Sequence, residues 1–400
     1  MSGKTGRFVE LEEKYGANNY HPLDIVIERG EGVWVWDVDG KKYMDCLSAY
    51  SALNQGHCHK RLVSLMQEQC SKLTLTSRAF RNDALGEFYE IVSKRTGHER
   101  VLPMNTGAEA VETAIKMARK WGYKHKGISP DQAEIIVFED NFHGRTTTVV
   151  GFSTEEKYKD GFGPFTPGFI AIPFGDAKAL AEAINERTCA FLFEPIQGEA
   201  GINISPQGFL SEARELCSKN NVLMLADEIQ TGLGRTGKWF ACEHEDVKPD
   251  AYILGKALGG GFYPVSCVTS SADVMSVFHP GEHGSTFGGN PLGARLAVEA
   301  LSILDEEKLV ENSAKIGNYF IDRLHSMDIP CKREIRGRGL LIGVELDRPA
   351  RPYCEALKER GLLCKETHDR VIRFAPPLVV SPDELDWALE QIEGVLSQSL

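Results

Sequence analysis

The sequence lacks any lysine- or arginine-rich block, and its formal net charge is −12. Nucleic-acid binding driven by counterion release therefore has no support. An anionic substrate would need positive charge concentrated in one pocket, because the overall field repels it. No apolar run approaches the length of a membrane span, so no membrane partner is expected. The ten cysteines include no C-x-x-C pair, and a chain of 400 residues is far too long for a disulfide miniprotein. Reduced thiols in a cytoplasmic setting are the expectation. The opening "MSGKTGRFVELEEKYG" offers no apolar core for a signal peptide, and its glutamates argue against a transit peptide. A mitochondrial matrix location would require a presequence already removed. Internal repeats and low-complexity tracts are missing too.

What is present is an ordinary globular composition, 42% hydrophobic and 26% charged, with length for two or three domains. "GVWVWDVDGKKYMDCL" alternates apolar and polar residues around Asp39-Gly40, a hairpin signal. From about residue 100, short apolar strands ("ERVLPMN", "AEIIVFED", "CAFLFEP", "NVLMLAD", "AYILGK") alternate with helical stretches such as "AEAVETAIKMARKWGYK". Such alternation predicts an α/β fold with a mostly parallel sheet covered on both faces. Beyond about residue 305 the rhythm changes to that of a smaller C-terminal α+β domain. The expected division is an N-terminal segment over 1–50 packing with the small domain, a large domain over 51–305, and the small domain over 306–400. Ligands of open α/β sheets sit beyond the carboxyl ends of strands. Asn141, Phe142, Glu194, Asp227, Gln230 and Lys256 fall in such places.

The stretch "VLMLADEIQTGLGRTGKWF" matches G-x-G-x-x-G through Gly232, Gly234 and Gly237. From Gly232 to Lys238 it also matches all but the last letter of the phosphate-loop pattern. Trp239 stands where that loop needs a hydroxyl, and Asp227 and Glu228 would repel phosphate at its mouth. A nucleotide-binding switch is thus the distant alternative. An aspartate ending a buried apolar strand must instead meet a cation or lose its charge. An ion pair or a helix cap would satisfy it. "YILGKALGGG", however, ends a second apolar strand in Lys256, and a desolvated lysine becomes an amine nucleophile. Pyridoxal phosphate (PLP) needs both: a lysine for its Schiff base and an acid beside its pyridinium nitrogen. Its phosphate needs a free helix N-terminus, which "MNTGAEAVETAIKMARKW" supplies, with Thr106 as cap and Gly107 and Ala108 offering N–H groups.

"MNTGAEA", "NFHGRT", "EPIQGEAG", "ADEIQTGLGRTG", "GKALGGG" and "GSTFGGNP" together resemble the class III aminotransferases of fold type I. "KYGANNYHPL", "SAYSALNQGHCH", "LTSRAF" and "IRFAPPL" resemble the ornithine-specific branch, with acetylornithine and 4-aminobutyrate aminotransferases as the alternative. The likeness runs from about residue 10 to the C-terminus. It implies transfer of ornithine's δ-amino group to 2-oxoglutarate by a ping-pong mechanism. Lys256 would bond the cofactor and shuttle protons, and Asp227 would pair with its ring nitrogen. Gln230 would reach the ring hydroxyl, Phe142 and Ile229 would cover the two ring faces, and Gly107 and Ala108 would hold the phosphate. Ser285 and Thr286 would reach the phosphate of the neighbouring subunit, which implies a homodimer. Arg145, with Tyr20 and Tyr50 beside it, would clamp the donor's carboxylate; Arg373 would take the second carboxylate of 2-oxoglutarate and be masked by Glu199 meanwhile. His143 receives no role. No metal site is expected: His57 and His59 flank Cys58 as alternate residues of an extended segment, and so point to opposite sides.

Overall fold

A computed structural model describes residues 4–398. Residues 1–3 and 399–400, the extremities of the expected first and last segments, lie outside the described residues. A seven-stranded sheet forms the centre. Its spatial order is Arg100–Met104, Ser266–Ser270, Ala251–Leu254, Leu223–Asp227, Thr188–Phe193, Glu134–Phe138 and Phe169–Ile172. The last five of these pair in parallel. Ser266–Ser270 runs antiparallel to both of its neighbours, so the sheet is mostly parallel, as expected.

Leu223–Asp227 and Thr188–Phe193 are buried along their whole length, as strands covered on both faces must be. Alternate side chains enter different cores. Leu223 and Leu225 pack with the helix Gly107–Trp121 through Ala110, Val111 and Ala114. Met224 and Ala226 face the opposite layer, where Phe209, Leu210 and Ala213 of the helix Phe209–Lys219 lie. Two layers thus clamp the sheet, and the carboxyl ends of its strands are left to build a site.

The C-terminal region holds an antiparallel sheet of Lys332–Arg338, Leu341–Leu346, Val371–Phe374 and Lys365–Thr367. The helices Leu309–Ser326 and Pro382–Leu396 pack against this region. Near the N-terminus, Trp34–Asp37 and Lys42–Asp45 form an antiparallel hairpin that turns at Gly40, where φ is +88°. Lys42–Asp45 also pairs in parallel with Leu362–Leu363, which ties the start of the chain to its C-terminal part.

The loop "GLGRTG" lies where the central sheet meets the C-terminal region. Arg235 is fully buried and donates to the carbonyls of Leu340 (2.8 Å) and Pro376 (2.6 Å) and to Asn54 Oδ1 (2.6 Å). A Cβ on Gly237 would come within 2.8 Å of the Ala314 backbone, and one on Gly234 within 3.1 Å of Leu378 and Val310. The glycines permit close packing of protein on protein, which leaves no open cradle for a phosphate. Among the described residues no helix is long and apolar enough to cross a membrane.

Candidate active site

A cavity of about 170 Å³ opens at the carboxyl ends of the central strands, the place where open α/β sheets bind their ligands. Gly107, Ala108, Phe142, His143, Glu194, Glu199, Asp227, Ile229, Gln230 and Lys256 are among its lining residues. Eight of the fifteen expected site residues thus converge from separate stretches of chain, at or just beyond the carboxyl ends of strands.

Asp227 closes the strand Leu223–Asp227 and is only 5% exposed. Its Oδ1 accepts from Ile229 N (3.1 Å), and its Oδ2 lies 2.7 Å from Nδ1 of the equally buried His143. Burial, the largest influence, would lower the imidazole pKa, but the hydrogen bond and charge of Asp227 and the charge of Glu194 outweigh it and raise it. His143 therefore orients the carboxylate, a function its position in the sequence did not reveal. Glu194 accepts from Phe142 N (2.9 Å). Burial pushes its carboxyl up to about 7.

Lys256 follows the buried strand Ala251–Leu254 and holds φ at +46°, an unusual backbone state of the kind that recurs at functional sites. Burial lowers its ammonium pKa, while Glu199 and Asp227 hold it partly up, so the neutral amine is easier to reach than for a surface lysine. Beside the cavity, Thr106 caps the helix Gly107–Trp121 in a reciprocal capping box with Glu109. Glu109 takes the N–H groups of Asn105 and Thr106, which leaves those of Gly107 and Ala108 as free donors at the positive end of the helix.

These features provide a direct test of whether PLP fits. A phosphate matches the free N–H groups at Gly107 and Ala108. A protonated ring nitrogen matches Asp227, and an aldehyde carbon matches Lys256. Gln230 Oε1 is buried without a partner, as an acceptor awaiting a hydroxyl would be. Gln230 also lies so close over Gly198 that a Cβ there would sit 1.5 Å from Oε1. The donor set fits the cofactor.

Two arginines border the site. Arg373, from the strand Val371–Phe374, is 1% exposed and donates to Glu199 Oε1 at 2.7 Å. Its guanidinium carbon lies 5.0 Å from the ring of Tyr50. Burial would raise the Glu199 carboxyl pKa, yet the arginine's charge and hydrogen bond overcome this and hold it low. Gln230 Nε2 also donates to Glu199 (3.2 Å), and Thr367 Oγ1 donates to its carbonyl. Tyr50 sits within a run of four left-handed residues, 48–51. Asp45 pins that turn, its Oδ1 accepting from Leu47 N and Ser48 N (both 2.9 Å) and its Oδ2 contacting His57 Nε2 (2.8 Å). His59 instead meets Glu307 (3.0 Å), so the two histidines serve different partners.

Arg145 is exposed and, among the described residues, has no hydrogen bond or ion pair. Tyr20 is 67% exposed and makes no hydrogen bond to Arg145 among the described residues. Its hydroxyl is close enough to influence the titration of Tyr50. Ser285 and Thr286 lie outside the cavity. Ser285 Oγ accepts from Asn105 Nδ2 (2.9 Å), and Thr286 and Phe287 face solvent in this chain.

Residues 15–396 match the Aminotransferase class-III family profile. The chain is 62% identical over 396 residues to an ornithine aminotransferase of Halalkalibacterium halodurans, covering 99% of this chain and 100% of that one. It superposes with a TM-score of 0.97 on the ornithine aminotransferase of Toxoplasma gondii, a protein with PLP at its active site. That pair is 46% identical and covers 98% of this chain and 94% of the other. An acetylornithine aminotransferase from Elizabethkingia anophelis is similar too, with a TM-score of 0.89 and 49% identity over 99% of each chain. On profile, full-length identity and fold alike, this chain belongs to the class III aminotransferases.

Proposed function

We propose that the protein is an ornithine δ-aminotransferase. It transfers the δ-amino group of L-ornithine to 2-oxoglutarate and yields glutamate and glutamate 5-semialdehyde, which cyclises to pyrroline-5-carboxylate. The observation that carries the reading is a cavity whose lining residue Phe142 lies beside an arginine without an ion pair, Arg145, and whose lining residue Glu199 already neutralises a second, Arg373. Ornithine brings a single carboxylate and a cationic chain; 2-oxoglutarate brings two carboxylates. A site with one open and one masked cation can serve both in turn.

When bound, PLP supplies an electrophilic carbon for the donor amine and an electron sink for the C–H bond beside it. The chain's residues do the rest. Arg145 binds the donor's α-carboxylate through its fork of N–H donors, and this leaves the δ-end directed at Lys256. Lys256 would hold the cofactor and, once displaced by the donor amine, its neutral Nζ would carry the proton from the δ-carbon to the cofactor, and in the acceptor half-reaction from the cofactor to the acceptor's carbon. Asp227, held by His143, keeps a proton on the ring nitrogen through its charge. Glu199 shields Arg373 during the donor half-reaction and releases it when a dicarboxylate arrives. Phe142 and Ile229 confine the ring, and Gln230 accepts from its hydroxyl.

The same reading makes the protein a homodimer in which Ser285 and Thr286 complete the partner's phosphate site. The exposed Phe287 at 47% and Phe80 at 72% support a covered face there. A cytoplasmic location is supported by ten free cysteines. The similarity to an acetylornithine enzyme makes N-acetylornithine the donor to compare. The test is an absorbance spectrum of the purified holoenzyme before and after each donor, with pyrroline-5-carboxylate trapped chemically. Loss of the cofactor's absorbance band with ornithine and trapped product support the reading. A response to acetylornithine alone overturns it.

A further inference from the structure

Resting on that reading, we propose that Tyr158 is a positioning residue that sets the guanidinium of Arg145 for the donor's carboxylate and so governs donor affinity. Arg145 has no protein anion to hold it, and a free arginine on a flexible stem loses rotamer entropy when it binds. What does hold it is aromatic. Its guanidinium carbon lies 4.1 Å from the centroid of the Tyr158 ring and 5.6 Å from that of Phe142. The two rings are 6.1 Å apart at 74°, an edge-to-face pair. The cation therefore rests against two perpendicular ring surfaces.

A guanidinium held against ring faces spends none of its N–H donors on a protein anion, and those donors are what a carboxylate uses. An ion pair would orient Arg145 as well, but would consume those donors, as Glu199 does for Arg373. Stacking fixes the direction and leaves the charge available. Phe142 lines the cofactor cavity, so this arrangement ties the carboxylate clamp to the wall against which the cofactor ring would lie.

Tyr158 belongs to a four-residue helix, Glu156–Lys159, in the loop after "NFHGRT", and Glu155 caps it through a bond to Lys157 N. Its hydroxyl makes no hydrogen bond among the described residues, so the ring alone does the positioning. Tyr158→Phe should then behave as wild type, and Tyr158→Leu should not.

The experiment is the half-reaction of the holoenzyme with ornithine in the absence of acceptor, which isolates donor binding from Arg373, followed by steady-state kinetics. Y158L is expected to raise the donor's half-saturating concentration by about three- to tenfold, the range of a cation–π contact at a partly wetted site. Its saturating rate should stay within about twofold, since contacts equal in ground and transition states affect affinity alone. Y158F should restore wild-type affinity. Y158M, which keeps the reach but has no ring, replaces Y158L if the latter fails to fold. Unchanged affinity in Y158L or Y158M overturns the proposal, as does a fall in saturating rate at unchanged affinity. So does a Y158F variant as impaired as Y158L. Wild-type enzyme that turns over no ornithine would overturn the donor assignment and this role together.

Discussion

The two arginines of the cavity carry the same charge and are held in opposite ways. Arg145 stands on a surface loop, exposed, stacked on Tyr158 and free of anions. Arg373 sits in the middle of a buried strand, 1% exposed, with Glu199 at 2.7 Å. The loop arginine is ready for any carboxylate that arrives, and its orientation is set by ring faces alone. The strand arginine could not remain buried without a partner, since an uncompensated charge there costs several kcal/mol; in the proposed reading the same partner would mask it. In the proposed reading, an open cation beside a masked one would distinguish an amino acid with one carboxylate from a diacid.

Four substitutions bear on that contrast. Lys256→Ala should break both sides equally, because one amine moves the proton in each half-reaction. Turnover should fall by at least about 10⁴-fold, the upper range of general acid–base contributions, and the cofactor should no longer be trapped on the protein by borohydride. Retention of either half-reaction would separate the lysine from the chemistry. Arg373→Leu should strike one side only. The KM for 2-oxoglutarate should rise by about 10²-fold, as loss of a buried charge contact implies, and the ornithine half-reaction should change much less. Equal damage to donor and acceptor would remove the division of labour.

Glu194 sharpens the electrostatic picture through stability. Its carboxyl rises from an ordinary 4.5 to about 7 because it is buried. A group raised on folding stabilises fully below its unfolded value, and that stabilisation is lost as pH rises through its folded value. Cofactor-free protein should therefore become less stable between about pH 5 and 8, by on the order of 3 kcal/mol from this group. Glu194→Gln should flatten that slope in denaturant titrations, and an unchanged slope would contradict the assignment. The smallest effect belongs to the helix cap. Thr106→Ala should cost about 1 kcal/mol of stability and weaken cofactor retention only slightly, because the N–H groups of Gly107 and Ala108 remain. A large loss of cofactor affinity would give the Thr106 hydroxyl a direct contact.

The sheet's catalytic edge was legible because its strands are short apolar runs ending in a polar residue. "NVLMLAD" and "AYILGK" announce both their burial and their termini. The strand Ser266–Ser270 was not, since its sequence "SCVTS" has little of the apolar character that marks a buried strand, although all five residues are buried. Phe169–Ile172 is an edge strand of four residues flanked by Pro167-Gly168 and Pro173, too short for periodicity to declare itself. The left-handed run at 48–51 was equally hidden. "SAYS" contains no glycine, and the turn exists because Asp45 binds its backbone. His143 could be noticed but not interpreted, because Asp227 is 84 positions away in the chain. The stacking of Arg145 on Tyr158 likewise depends on how a loop folds back. Pairings made across the fold leave no local pattern to read.

The most direct measurement follows the nitrogen. Ornithine carrying a heavy-nitrogen label only at its δ-amine is turned over with 2-oxoglutarate by wild type and by Glu199→Ala, and the glutamate formed is weighed. If Glu199 masks Arg373 and thereby fixes which end of the donor reacts, wild type transfers the label completely, and the variant yields a substantial share of unlabelled glutamate from the α-amine. Complete transfer of the label by both enzymes would contradict the account.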